Sequence, residues 1–164
     1  MTIIENLKPA HWPEIRRIYL EGIATGQATL QTTAPSWDEW DKAHLADLRY
    51  VAIIKNEVAG WVALSPVSSR CVYAGVAEVS IYISGTFRGM GIGSQLLKHV
   101  ISESEKSNIW TLQSGVFPEN TASMRLHENE GFRLIGYREK VGKMLDKWRD
   151  VNLLERRSKI AGIN

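Results

Sequence analysis

Behind Pro9 and Pro13, either of which can open a helix, apolar residues Ile15, Ile18, Tyr19 and Ile23 recur at helical spacing. Ahead of them Thr2 to Leu7 reads as a short strand. Ser36 with Glu39 three residues later has capping-box form and predicts a second helix over Trp37 to Leu48. Tyr50 to Lys55, Asn56-Glu57 and Val58 to Ser65 read as strand, tight turn and strand. In Val76 to Ile83 the β-branched Val79, Ile81 and Ile83 fall on one face by period two, leaving Glu78, Ser80 and Tyr82 on the other. Leu96, Leu97, Val100 and Ile101 mark a third helix, and Ile109 to Val116 a strand. Asn120 caps a short helix that Gly131 ends, and Phe132 to Val141 and Met144 to Leu154 close the chain as strands. The order β-α-α-β-β-β-α-β-α-β-β predicts an α/β domain with a largely antiparallel sheet and one crossover.

Composition narrows the class. The 164 residues are 44% hydrophobic and 23% charged, without Pro/Gly/Ser tracts, charge blocks or repeats, so one domain is expected over residues 1–164. Lys+Arg of 20 against Asp+Glu of 18 is too balanced for a dedicated binder of nucleic acid or anionic membrane. A single cysteine, Cys71, closes no intrachain disulfide, and no apolar run approaches a membrane span or a secretion signal, so a cytoplasmic setting is expected. His11, His44 and His99 have no partners at metal-ligand spacing, and no metal is expected. The six tryptophans read as scattered core or rim residues, and Arg156, Arg157 and Lys159 as a solvated, partly frayed tail.

Arg88-Gly89-Met90-Gly91-Ile92-Gly93-Ser94 carries the clearest local chemistry, lying between a predicted strand and a predicted helix. Glycines let backbone N–H groups approach an anion, the helix N-terminus adds partial positive charge, and Arg88 adds a full one, a combination suited to a pyrophosphate. No Gly-Lys-Ser/Thr follows, and Ser94 takes the third glycine position of Gly-x-Gly-x-x-Gly, so neither common nucleotide motif fits. On these residues alone, a tight turn without ligand stands level with an anion site.

Arg88-x-x-Gly91-x-Gly93 resembles the Arg/Gln-x-x-Gly-x-Gly/Ala signature of the GNAT N-acetyltransferase superfamily, whose loop holds the pyrophosphate of acetyl-CoA. The stretch from Pro118 to Phe132, with Asn120, Ser123 and Gly131-Phe132, is similar to the superfamily's second cofactor-side motif. The resemblance implies the GNAT fold, a mixed and mostly antiparallel sheet flanked by helices, over nearly the whole chain. Within the superfamily the sequence looks like the phosphinothricin or methionine sulfone/sulfoximine N-acetyltransferase group. Arg70-x-x-Tyr73-x-x-x-x-Glu78, His127, Ala28 to Thr32, and Val141-Gly142 through Trp148-Arg149-Asp150-Val151 carry that likeness. Leu30 departs from it, standing where the group often has an aromatic pocket residue, and Asp146-Lys147-Trp148 replaces Gly-Arg-Trp, losing a glycine turn position.

This resemblance implies acetyl transfer from acetyl-CoA to the primary amine of a small amino-acid-like molecule, by direct attack on the thioester, in a homodimer. Glu78 is then the expected general base, directly or through a water, although a strand-edge ion pair would use the same carboxylate. Backbone N–H groups at Ile81, Tyr82 and Ile83 would polarise the thioester and pair with pantetheine. Arg88, Gly89, Met90, Gly91, Ile92, Gly93 and Ser94 would hold pyrophosphate, with Asn120 and Ser123 on the cofactor. Asn120 can cap its helix as well. His127 is either the acid that protonates the departing thiolate or a packing residue. Arg70 and Tyr73, with Leu30, would bind substrate, or else Arg70 and Tyr73 form a solvated loop pair. A different amine, a peptide N-terminus and a non-catalytic CoA-binding module are the competing readings.

Overall fold

The computed structural model describes residues 1–164. Its elements follow the expected order: β1 (Ile3–Asn6), α1 (Trp12–Thr25), α2 (Trp37–Ala43), β2 (Arg49–Ile54), β3 (Glu57–Pro66), β4 (Val76–Ile83), α3 (Ile92–Lys106), β5 (Thr111–Val116), α4 (Thr121–Asn129), β6 (Arg133–Met144) and β7 (Lys147–Arg157). The strands form one sheet in the order β1-β2-β3-β4-β5-β7-β6. Only β4 and β5 run parallel, and α3 is the crossover between them. Leu96, Leu97 and Val100 of α3 pack on one face against Val62, Leu64 and Leu112, while Ile15 and Ile18 of α1 cover Trp61 and Val51 on the other. Each of these side chains is fully buried, so each contributes about 1.5–3 kcal/mol of hydrophobic stabilisation.

The β4–β5 pairing is short, and this positions the site. Val76, Ala77 and Glu78 pair with Thr111, Leu112 and Gln113, and there the ladder stops, although both strands continue. The Gly75 carbonyl accepts from the Trp110 and Thr111 amides, whereas the Ser84 amide donates to the Ala59 carbonyl beside β3. Because peptide groups alternate in direction along a strand, those of Ile81 and Ile83 face the β5 side beyond the last pairing, where no strand takes them. The two parallel strands therefore splay into a notch edged by free N–H and C=O groups.

Three local expectations are corrected. The second helix ends at Ala43 instead of Leu48: His44 is extended, its Nδ1 bonds the Trp40 carbonyl at 2.6 Å, and the Leu45 amide is drawn to the Leu64 carbonyl on β3. The C-terminal segment is tied down rather than frayed, because Arg156 and Ser158 both bond Glu105 of α3, at 3.1 and 2.8 Å. In the β6–β7 turn the left-handed residue is Leu145, at φ 54°, and not Asp146.

Leu145 is 77% exposed, so its side chain contributes little packing while its backbone carries the left-handed penalty. Leu145→Gly is expected to stabilise the protein by about 1 kcal/mol, a rise of about 2–4 °C in Tm by calorimetry.

Candidate active site

Two cavities open on the face of the sheet that carries Glu78, Ser80 and Tyr82. The larger, about 760 Å³, is floored by Tyr19, Trp40, Trp61 and Tyr82, and walled by the 28–35 segment and by Val141, Val151 and Leu153 of the last hairpin. The smaller, about 420 Å³, runs from Ile83 along the glycine-rich turn to Asn120 and Leu126. Ala28, Ile81, Tyr82 and Ser123 touch both, so the cavities meet at the strand splay.

The smaller groove brings together most of the residues expected at the cofactor. Ile81, Tyr82, Ile83, Arg88 and Gly89 line one stretch of it, and Gly91, Ile92, Gly93, Asn120 and Ser123 the other. Gly89 and Gly91 are both at φ 76°, where a side chain is strained, and the space a Cβ would take is open at each. Gly91 also caps α3, turning that helix's free N–H groups toward the loop. Gly93 has a packing reason instead, since a Cβ there would lie 3.0 Å from Leu126 of α4. Met90 and Ser94 do not line the groove: Met90 is exposed, and the Ser94 hydroxyl donates to Glu130. The open cradle, the helix N-terminus and the unpaired β4 edge fit a pyrophosphate followed by an extended amide-bearing chain.

Glu78 is exposed on the wall of the larger cavity, at the last paired position before the splay, and accepts from Gln113 Nε2 at 3.4 Å. Tyr82 lies farther along the same face of β4, beyond Ser80, stacked on Trp61 at 4.9 Å; burial pushes its phenol far above the usual range, so it remains a neutral hydroxyl. Asn120 accepts from the Ser123 amide, capping α4, while its side-chain nitrogen donates to the Gln27 carbonyl at 3.1 Å.

His127 is 1% exposed and lines neither cavity. Its Nδ1–H donates to the Ser123 carbonyl at 2.7 Å, its ring meets Phe132 edge-on at 5.1 Å, and Nε2 has no partner. Burial holds its pKa below the ordinary imidazole value, against a smaller opposing effect of the Ser123 carbonyl, so the ring is neutral at pH 7. Arg70 and Tyr73 lie on the exposed β3–β4 connection, outside the lining, with the guanidinium 5.6 Å from the tyrosine ring centroid. Leu30 does line the larger cavity, wedged against Gly142, where any Cβ would collide with it.

Several site residues carry no sequence signal. Trp40 of α2, His44 at the end of that helix and Trp61 of β3 form the pocket floor only after folding, and with Trp12 and Trp37 beside them four of the six tryptophans are clustered and not scattered. Arg149 on β7 is 7% exposed and reaches across to the loop after α1, donating to the Gly26 carbonyl and to Gln27 Oε1, each at 2.9 Å. Its guanidinium sits 4.0 Å over the Phe117 ring and 3.5 Å from Glu119. This one side chain fastens the 26–28 segment, which roofs the meeting point of the two cavities, to the strands below.

A splayed parallel pair, a glycine-rich helix start and an aromatic pocket are the working parts of a group-transfer enzyme. Residues 12–132 match the model of the Acetyltransferase (GNAT) family, so the chain belongs to that family and is an N-acetyltransferase. A Bacillus subtilis strain 168 protein, YwnH, provisionally named a phosphinothricin acetyltransferase, is 33% identical over 85% of this chain and 88% of its own length. An L-methionine sulfoximine/L-methionine sulfone acetyltransferase of Salmonella typhimurium strain LT2 is 26% identical, over 66% of this chain and 65% of that protein. The crystal structure of a GNAT superfamily phosphinothricin acetyltransferase from Sinorhizobium meliloti in complex with AcCoA has the same fold. Its TM-score is 0.88 at 24% identity, covering 99% of this chain and 91% of that one.

Proposed function

We propose that the protein transfers the acetyl group of acetyl-CoA to the primary amine of a small amino-acid-like substrate such as phosphinothricin or methionine sulfone/sulfoximine. The observation that carries this reading is the junction of the two cavities at the β4 splay, with Glu78 on the acceptor side and free β4 peptide groups on the donor side. Bound acetyl-CoA supplies the activated thioester. Arg88 and the Gly89 and Gly91 amides hold the pyrophosphate, and the peptide groups of Ile81 and Ile83 take pantetheine as a further strand would.

An α-amine with pKa of about 8 or higher is mostly ammonium at pH 7 and must lose a proton before it attacks. Glu78 accepts that proton, directly or through a water in the open cavity. A β4 N–H aimed at the notch stabilises the oxyanion of the tetrahedral intermediate. His127, neutral and outside the lining of both cavities, bonds back to Ser123 within α4 and packs on Phe132 just ahead of β6, a packing role in preference to an acid's. The resemblance carries with it a homodimer working in the cytoplasm.

CoA release with phosphinothricin, methionine sulfone, methionine sulfoximine and ordinary amino acids tests the reading. Rapid turnover is expected with at least one of the first three. Turnover of none, with acetyl-CoA binding intact, discards the substrate assignment in favour of another amine or a non-catalytic CoA binder.

A further inference from the structure

We infer that Arg138 on β6 binds an anionic group of the acceptor substrate and selects anionic amines over neutral ones, a residue role that deepens the reading above and rests on it. Arg138 is the sole arginine or lysine lining the larger cavity. Its side chain has no ion pair and no hydrogen bond within the protein, although its strand is crowded with charge.

The reason it is free lies in the backbone. The β6–β7 register slips between Arg138 and Gly142, so residues 139–141 bulge out opposite β7. Asp150, the acidic residue next to Arg138's cross-strand partner Val151, is used up in holding that bulge. It accepts from the Lys140 amide at 2.7 Å and from the Tyr137 hydroxyl. Those two bonds, the tyrosine's first, keep its carboxyl below the usual carboxylate range, so it stays an anion committed to the bulge.

The rest of the lining gives Arg138 nothing to pair with and gives the substrate a complementary pole. Glu39 is occupied in the capping box of α2, accepting from the Ser36 amide at 3.0 Å. His44 is pushed toward its neutral form, by burial first and by Arg49 as well, against the Trp40 carbonyl and Asp41. That leaves one carboxylate held only by the long contact from Gln113, Glu78 on β4, and one unpaired cation, Arg138, which stands two strands beyond β5. Between them lie Gln113 and Gly115 of β5 and the apolar Val151 and Leu153 of β7, and the aromatic floor of Tyr19, Trp40, Trp61 and Tyr82 closes the cavity on the β3 side of Glu78. The pocket thus offers a carboxylate toward the acceptor's amine and a cation toward an anionic group of the same molecule, with an apolar wall between the two. Arginine's length and forked donors suit a carboxylate or a phosphinate. Arg70, exposed and leaning on Tyr73, faces no such cavity.

The test compares affinity for methionine sulfone, phosphinothricin and the neutral amide of methionine sulfone. Affinity is read from Trp fluorescence with CoA bound, since Trp40 and Trp61 line the pocket, and alongside it kcat/KM for the same amines. In Arg138→Ala the preference for the anionic amines over the amide is expected to fall about tenfold to a hundredfold, the range of one charge-assisted contact. Arg138→Lys restores part of it. Arg133→Ala, which removes the same charge from the same strand outside the pocket, leaves the preference unchanged. A larger loss for phosphinothricin than for methionine sulfone identifies the phosphinate as the partner; equal losses identify the carboxylate. The proposal is overturned if Arg138→Ala lowers all three equally or not at all, or if Arg70→Ala abolishes the preference while Arg138→Ala does not. It is overturned too if the wild type shows no preference while turning over neutral amines, which leaves acetyl transfer standing. An intact preference in binding with no turnover of any amine instead overturns the acetyl-transfer reading alone.

Discussion

Replacing Glu78 by Gln is expected to lower kcat about a hundredfold to a thousandfold at pH 7 while leaving KM for acetyl-CoA close to the wild-type value, measured by steady-state CoA release. The magnitude is that of a positioned general base. Gln is isosteric and can still accept from Gln113, so the sheet pairing at the splay survives and the loss reports proton transfer instead of geometry. The pH profile separates the two. An amine of pKa about 8 is largely neutral above that pH and no longer needs the carboxylate, so the defect of Glu78→Gln shrinks as pH rises toward 9. A variant that keeps more than a third of wild-type kcat at pH 7, or one whose defect is the same at every pH, removes Glu78 from the proton path.

Arg149→Ala is expected to cost about 2–3 kcal/mol, because two charge-assisted bonds to Gly26 and Gln27 are lost from a nearly buried site together with stacking on Phe117. The Glu119 contact adds little to that figure, since Glu119 is 57% exposed and its charge is screened. Thermal unfolding should shift downward by about 5–10 °C for a domain of this size. Function should suffer in a characteristic way. Gln27 and Ala28 line the donor groove, and Asn120 bonds the Gln27 carbonyl, so loosening this segment raises KM for acetyl-CoA several-fold at temperatures where the variant is still folded. Arg149→Lys keeps one of the two bonds and should recover part of both losses, whereas a purely structural residue would move Tm without moving KM. Unchanged Tm and unchanged KM in Arg149→Ala would dismiss the clamp.

The sequence was most informative where chemistry is local. The capping box at Ser36 and Glu39, the Asn120 cap, the alternation in Val76–Ile83 and the glycines at 89 and 91 each declare their conformation within a few residues, and all four stand in the structure. For the same reason the donor groove was legible: Arg88 to Gly93 is one continuous turn, and Ile81 to Ile83 precede it on one strand. Local rules failed where a distant partner intervened. The helix propensity of residues 44–48 gives way to a backbone bond from Leu45 to β3, and the basic tail is held by Glu105, 51 residues from Arg156.

By itself, then, the chain's pattern of apolar and glycine positions determined the element order, the crossover and the glycine-rich turn ahead of α3, since these depend on contacts among neighbours in sequence. Only the tertiary structure decided the acceptor side. It gathered Trp40, Trp61, Tyr82 and Arg138 from four elements into one cavity, left Arg70 and Tyr73 outside it, buried His127 against Phe132, and joined Arg149 to Gly26 across 123 residues. Such a pocket is assembled by long-range packing, register and a strand splay, none of which leaves a mark on the residues nearby in sequence.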